Sequence, residues 1–227
     1  MSRSIWLSWS SGKDSAWTLH RLQQSPGWAM TGLFTTVNEA FDRVAMHAVR
    51  RQLLEAQAAA AGVPLHVIPL PWPCNNATYE QRMAAFLETA RAHDVHHMAF
   101  GDLFLEDVRA YREANLADQG IEAVFPLWGE PTGDLAREMI CGGLEGFLTC
   151  IDPRQMPRAL AGARFDDGLL DALPAGVDPC GERGEFHTVV TGGPMFKHSL
   201  DVNRGETVER DGFVFTDFEL SLSTVKE

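Results

Sequence analysis

Two stretches of this 227-residue protein hold residue types spaced for chemistry. The first, Ser10-Ser11-Gly12-Lys13-Asp14-Ser15, gathers three hydroxyls, an ammonium and a carboxylate around one glycine. Hydroxyls and a lysine ammonium give hydrogen bonds to phosphate oxygens, the latter charge-assisted, and small residues at Ser10, Ser11 and Gly12 let an anion come close. Polyphosphate binding is the sharp reading; a serine-rich cap that starts an ordinary helix is the plain one. The second, Cys180-Gly181-Glu182-Arg183-Gly184-Glu185-Phe186-His187-Thr188, sets two carboxylates three residues apart between glycines. Such a pair suits Mg²⁺, a cationic substrate or an amine nucleophile, although a Gly-rich acidic turn is also a common surface feature.

The elements that must position these groups follow from periodicity. Ile5, Trp6 and Leu7 form a short apolar run suited to a buried parallel strand, and Ala16, Trp17, Leu19 and Leu22 fall at helical spacing after Lys13. A strand-loop-helix junction leaves the first helical N–H groups without partners and points the positive end of the helix dipole at the loop, which favours phosphate. The pattern G-x-x-x-x-G-K-[ST] does not fit, since its first glycine falls at Leu7 and Asp14 stands in place of the Ser or Thr. After a helix ending near Ser25-Pro26-Gly27, strands are expected at Met30 to Val37, Leu65 to Leu70, His97 to Phe100 and Glu122 to Phe125. Between them lie helices from about Ala45 to Ala61, from a cap at Asn76 or Thr78 to about Ala92, and over Glu106 to Asp118. This alternation implies a parallel sheet covered on both faces.

In such a sheet ligands bind at the carboxyl ends of strands where the strand order reverses. Gly101 and Asp102, directly after the fourth strand, meet that condition: Gly101 to let backbone approach a nucleotide, Asp102 to hold Mg²⁺ or ribose or else to cap the next turn. Beyond Trp128 the pattern changes to a capped helix at Thr132 to Met139, a strand at Gly146 to Ile151, a broken helical region at Pro153 to Ala172, and strands near Phe186 to Thr191 and Phe213 to Leu222. The reading is an α/β domain over residues 1–128 and a smaller α+β domain over 129–227, closely packed with a cleft between them.

Composition narrows the function classes. A net charge of −12 opposes broad binding to nucleic acid, which needs a field of Lys and Arg. No apolar run approaches the ~20 residues of a membrane span, and Met1-Ser2-Arg3-Ser4 lacks the apolar core of a signal peptide, so a cytoplasmic protein is expected. Cys74, Cys141, Cys150 and Cys180 show no metal-ligand spacing and read as free thiols. His93, His96 and His97 read as a solvated helix end rather than a metal site, and the six tryptophans as core and cleft lining.

The spacing of the first stretch resembles the S-G-G-x-D-S loop of the ATP pyrophosphatase (PP-loop) enzymes, which cleave ATP between its α and β phosphates. In that fold the end of the second strand meets adenine, which makes Thr35, Thr36 and Val37 candidates for backbone contacts. With the second stretch added, the protein resembles the diphthine–ammonia ligase family, whose members carry S-G-G-K-D-S, then a G-[AD]-[IL] turn near the middle of the sequence, and a closing G-E-G-G-E-[FY]-x-T segment. Here these read Ser10 to Ser15, Gly101-Asp102-Leu103 and Gly181 to Thr188.

The resemblance implies an adenine nucleotide α-hydrolase-like domain and ATP-dependent amidation, with ATP, ammonia and a carboxylate-bearing substrate as partners. On it Ser10, Ser11, Gly12, Lys13, Asp14, Ser15, Gly101 and Asp102 hold ATP, with Asp14 on Mg²⁺, and catalytic duties fall to Lys13, Asp14, Glu182 and Glu185. Arg109, Glu113, Glu182, Glu185 and Thr188 are implied to face the acyl group or the incoming amine. The sequence departs from the pattern in three places. Ser11 replaces a glycine, tolerable if its φ is negative; Arg183 replaces another; and the Tyr-Gln-Arg run of the eukaryotic and archaeal ligases is absent around Arg109. These departures leave the acyl substrate open. A non-catalytic ATP-binding protein and a PP-loop tRNA thiolase are the alternatives; the second is opposed by the acidic charge and by the lack of an evident cysteine pair.

Overall fold

A computed structural model describes residues 2–44 and 49–221. In sequence order the elements are β1 (Arg3–Ser8), α1 (Lys13–Gln24), β2 (Trp28–Asn38), β3 (Arg43–Val44), α2 (Arg51–Ala61), β4 (Leu65–Leu70), α3 (Asn76–Ala92), β5 (His97–Ala99), α4 (Glu106–Ala117) and β6 (Glu122–Val124). They continue with α5 (Thr132–Cys141), β7 (Glu145–Ile151), a 3₁₀ turn (Arg158–Leu160), α6 (Asp167–Ala172), β8 (Phe186–Gly192), β9 (Val202–Arg210) and β10 (Phe213–Leu220).

The fold is mixed α/β with two sheets. In the first, β4, β2, β1, β5 and β6 lie side by side and all parallel, with β3 added antiparallel to the end of β2. The second runs β8-β7-β10-β9, antiparallel throughout. Side chains alternate across β1: Ile5 and Leu7 enter one apolar cluster, while Trp6 enters another with Phe86 and Leu87 of α3 and Leu116 of α4. The Ile5 cluster also takes in Leu19 of α1, Leu53 and Leu54 of α2, and Leu148, Val189 and Val214 of the second sheet. α1 and α2 therefore lie between the sheets, and one continuous core holds both.

Strands and helices largely meet the expectations from pattern, with some local differences. The helix expected from Ala45 starts at Arg51; Ala45 to Ala48 lie outside the described residues, and Arg50 is extended, bridging to Arg43. Its guanidinium and that of Arg43 both reach Asp217 on β10, so the segment is drawn out toward the second sheet. The cap of α3 is Asn75, whose side chain accepts from the Thr78 amide at 2.9 Å, not Asn76 or Thr78. The helix expected to be capped at Thr132 to Met139 has Pro131 at its N-cap position and no side-chain cap; the Thr132 hydroxyl donates to Asp178 at 2.7 Å.

The strand β9 is absent from the expectations of pattern. Its residues are mostly exposed and polar, and it is an edge strand paired only with β10, so its register comes from backbone pairing and not from an apolar face. Leu222, the expected end of the last strand, is outside the described residues. Among the tryptophans, Trp6, Trp9 and Trp17 are core as expected, but Trp72 is 65% exposed, on the loop after β4. No helix among the described residues is long and apolar enough to cross a membrane.

Candidate active site

Strand order reverses between β1 and β5: the backbone passes from β1 to β2 on one side, and from β5 to β6 on the other. The loops that leave these two strands face each other across the gap, where α/β sheets bind ligands. A cavity of about 240 Å³ opens there. One wall is the loop from Ser10 to Ser15, a second is Gly101, Asp102 and the inner face of α4, and a third is Cys180 to Glu182 with Phe186 to Thr188.

The first wall is held from inside. Ser15 donates to the Gly12 carbonyl at 3.0 Å and meets the Ser10 hydroxyl at 3.1 Å, so two of the three hydroxyls organise the loop. Ser11 adopts φ 70, in the left-handed region, contrary to the negative φ its serine would favour. It lies behind the cavity wall, fully buried, and its hydroxyl has no partner among the described residues. What holds it there is its carbonyl, which accepts from Val190 of β8 at 2.9 Å and from the Gln57 amide at 3.1 Å. Gln57, fully buried on α2, also donates to the Val190 carbonyl and accepts from the Trp9 indole. A buried amide with all these bonds made is cheap to bury, and it welds the loop to the second sheet.

Gly101 serves a different close approach from the one expected. A Cβ there would lie 2.9 Å from the Asp14 backbone carbon and 3.0 Å from the Ser15 nitrogen. The glycine thus lets β5 pack on the first turn of α1. Asp102 caps nothing; both its oxygens pair with Arg112.

Lys13 is buried, with its ammonium on both Asp14 oxygens, at 2.9 and 2.8 Å, and on the Cys180 carbonyl. Burial works to lower its pKa, but neighbouring negative groups, Asp14 foremost, outweigh burial and hold it above the usual lysine value. Its backbone N–H, one of the orphan donors at the start of α1, donates to the Thr188 hydroxyl at 3.0 Å. The ammonium's bond to the Cys180 carbonyl and this cap bridge the first wall to the third. The Lys13 ammonium takes one position on each Asp14 oxygen, and Arg112 does the same on Asp102, so a Mg²⁺ here would share each carboxylate with a cation. Among the described residues no group of three or more His, Cys, Asp or Glu is placed to hold a metal.

The third wall separates two carboxylates that look alike in sequence. Glu182 lines the cavity, and its Oε1 accepts from the Leu103 amide at 2.8 Å. Burial pushes its carboxyl up to about 7, only partly opposed by that amide, with Asp14 and Asp102 adding repulsion. Glu185 points away, almost fully buried, and accepts from the amides of Asp178 at 3.0 Å and Arg183 at 2.9 Å. Asp178, also buried, accepts from the Cys180 amide at 2.9 Å. Gly181 and Gly184 take positive φ in this turn, and a side chain at Gly181 would also strike the Phe186 carbonyl at 2.8 Å. Burial raises the Cys180 thiol to about 12, which keeps it protonated and without nucleophilic power.

Several sequence candidates lie elsewhere. Arg109 stacks over Phe125 and Trp128 and pairs with Glu113 one turn on, outside the cavity. Thr35, Thr36 and Val37 are in register with β4 and do not line the cavity. His93 meets the Thr89 carbonyl, His96 pairs with Asp94, and His97 reaches toward Glu122. Three contributors escape the sequence reading: Gln57 and Asp178, which carry no motif, and Arg112. Leu105, Val108 and Arg112 all line the cavity and recur at helical spacing, a signal that the sequence does carry.

Residues 132–219 match the family model of the diphthamide synthase C-terminal domain. This part of the protein, less than half of the sequence, is similar to the C-terminal domain of diphthamide synthases. No curated protein matches it. The matched span runs from α5 almost to the end of β10 and contains Glu182, Glu185 and Thr188; the loop at Ser10 lies outside it. At the level of the family, a diphthamide synthase domain implies an enzyme, an ATP-dependent amidating ligase.

Proposed function

We propose that the protein is an AMP-forming ligase in which ATP, a carboxylate and ammonia meet in this one cavity, with an N-terminal nucleotide domain of the PP-loop type. A substrate carboxylate oxygen attacks the α-phosphorus, the bond to the bridging oxygen breaks, and pyrophosphate leaves. Ammonia then attacks the acyl carbon of the adenylate, loses a proton, and AMP departs with its electron pair. The loop at Ser10 and the start of α1 offer small residues and helix N–H groups to the phosphates. Lys13 supplies positive charge at the same place, once its contact with the Cys180 carbonyl is exchanged for a phosphate.

Glu182 is the general base for the second half. A carboxyl poised near 7 is ionised in an appreciable fraction at neutral pH and still basic enough to take the proton that the attacking amine must lose. Glu185 acts through Glu182, by fixing the turn that carries it, and Thr188 by fixing the start of α1.

The observation that carries this reading is that the phosphate-type loop and the Glu182 segment line one cavity and are bonded to each other through the Lys13 ammonium and the Cys180 carbonyl. The test supplies ATP, ammonium and a set of carboxylates and separates the nucleotide products. AMP and pyrophosphate formed only with both co-substrates are expected. ADP as the product, or no ATP binding by calorimetry, overturns the reading.

A further inference from the structure

We propose that Arg112 is the residue that holds the substrate carboxylate, and thereby sets which acids the enzyme accepts; the proposal rests on the ligase reading above. Arg112 projects from α4 into the cavity, with its side chain about one-third exposed. Two groups fix it: Asp102 accepts from its Nε and one terminal nitrogen, and Phe100 lies under the guanidinium at 4.4 Å. A guanidinium has five donors in a planar fork, and this contact uses one edge. The remaining donors, including both on the other terminal nitrogen, meet no protein acceptor among the described residues. An arginine oriented on one edge and open on the other is built to receive a planar two-oxygen anion.

Its location selects the anion. The phosphate end of the cavity is the loop at Ser10, whereas Arg112 and Asp102 belong to the wall where the Leu103 amide holds Glu182. A carboxylate on Arg112 therefore lies beside the proton acceptor for the incoming amine and leaves the start of α1 to the phosphates. Asp102 keeps the guanidinium from collapsing onto other carboxylates before substrate arrives.

The experiment uses the full-length protein with ¹⁵N-labelled arginine and propionate as a minimal carboxylate, with sodium chloride at equal ionic strength as control. The Arg112 Nε resonance is expected to shift saturably with propionate, and the resonance of exposed Arg137 not to. This arm needs no turnover, so it stands even if AMP formation fails. Calorimetry on R112Q is expected to leave ATP affinity unchanged. With any acid that supports pyrophosphate release, R112Q is expected to raise its KM roughly ten- to a hundredfold, the loss of one or two charge-assisted hydrogen bonds, and R112K to recover part of it. Absence of a propionate shift, an Arg112 shift produced by pyrophosphate instead, or a fall in ATP affinity in R112Q with the acid's KM unchanged would each overturn the assignment.

Discussion

The loop at Ser10 to Ser15 and the turn at Asp178 to Glu185 face each other across one cavity and solve the same problem in opposite ways. Each must hold a tight backbone against a cleft. The turn does so with charge: Asp178 and Glu185 accept from the amides of Cys180, Asp178 and Arg183, and glycines occupy both of its positive-φ positions. The loop adds to its own Ser15–Gly12 and Lys13–Asp14 contacts two anchors outside itself, Gln57 and Val190, and it places a serine where the backbone turns left-handed. The turn is thus braced by its own carboxylates and free of this strain, while the loop carries the strain and is tied to the second sheet. A strained, externally fixed segment is where a ligand-binding change is cheapest.

The largest effect should come from removing the turn's internal acceptor. Glu185→Ala leaves a buried Asp178 amide unsatisfied and frees the Arg183 amide, a loss of about 3–5 kcal/mol from two charge-assisted bonds and one orphaned donor. Urea unfolding would read the stability, and ATP calorimetry the accompanying loss of the site. If Glu185→Ala proved near-neutral, the turn would not be self-supporting and the contrast with the loop would fail.

Glu182→Gln sharpens the comparison within the turn, because it should hardly disturb the fold. Glu182 binds its proton more tightly folded than unfolded, its pKa rising from 4.5 to about 7. Its contribution to stability is therefore full below pH 4.5 and is lost as pH rises to about 7, a swing of about 3 kcal/mol. Against wild type, Glu182→Gln should gain that amount between about pH 4 and about pH 8, measured by denaturation across pH. Turnover should meanwhile fall by about 10²–10⁴, the usual worth of a general base, and its inflection near neutral pH should vanish. A pH-independent difference in stability would show that burial does not perturb Glu182.

What the sequence displays and what it hides divide along the same line. The parallel sheet is legible because buried strands such as Ile5 to Leu7 are continuous apolar runs, and the cavity's place follows from strand order alone. Glu182 and Glu185 are legible as a pair but not as opposites. Which carboxylate turns inward depends on Gly181, Gly184 and the amides around them, and no periodicity records that. Gln57 and Asp178 are invisible for a related reason, since a polar residue with no motif reads as surface until its partners, 46 and 133 residues away for Gln57, are in place. The strand β9 escapes differently, having no apolar face for a pattern to reveal.

The smallest predicted effect tests the strain itself. Ser11→Gly removes a left-handed serine, worth about 1–2 kcal/mol, and a buried hydroxyl without a partner, worth about 1–3 kcal/mol, against about 0.5–1 kcal/mol of extra backbone entropy in the unfolded state. The anchors are untouched, because both Val190 and Gln57 bind the Ser11 carbonyl. A net gain of at least about 1 kcal/mol should raise the melting temperature by at least about 2–4 °C for a protein of this size. That gain would make the loop resemble the turn, with glycine at each left-handed position. No gain would mean that the Ser11 hydroxyl finds a partner in the folded protein, and ATP calorimetry on the same variant would then tell whether that partner is the nucleotide or the protein.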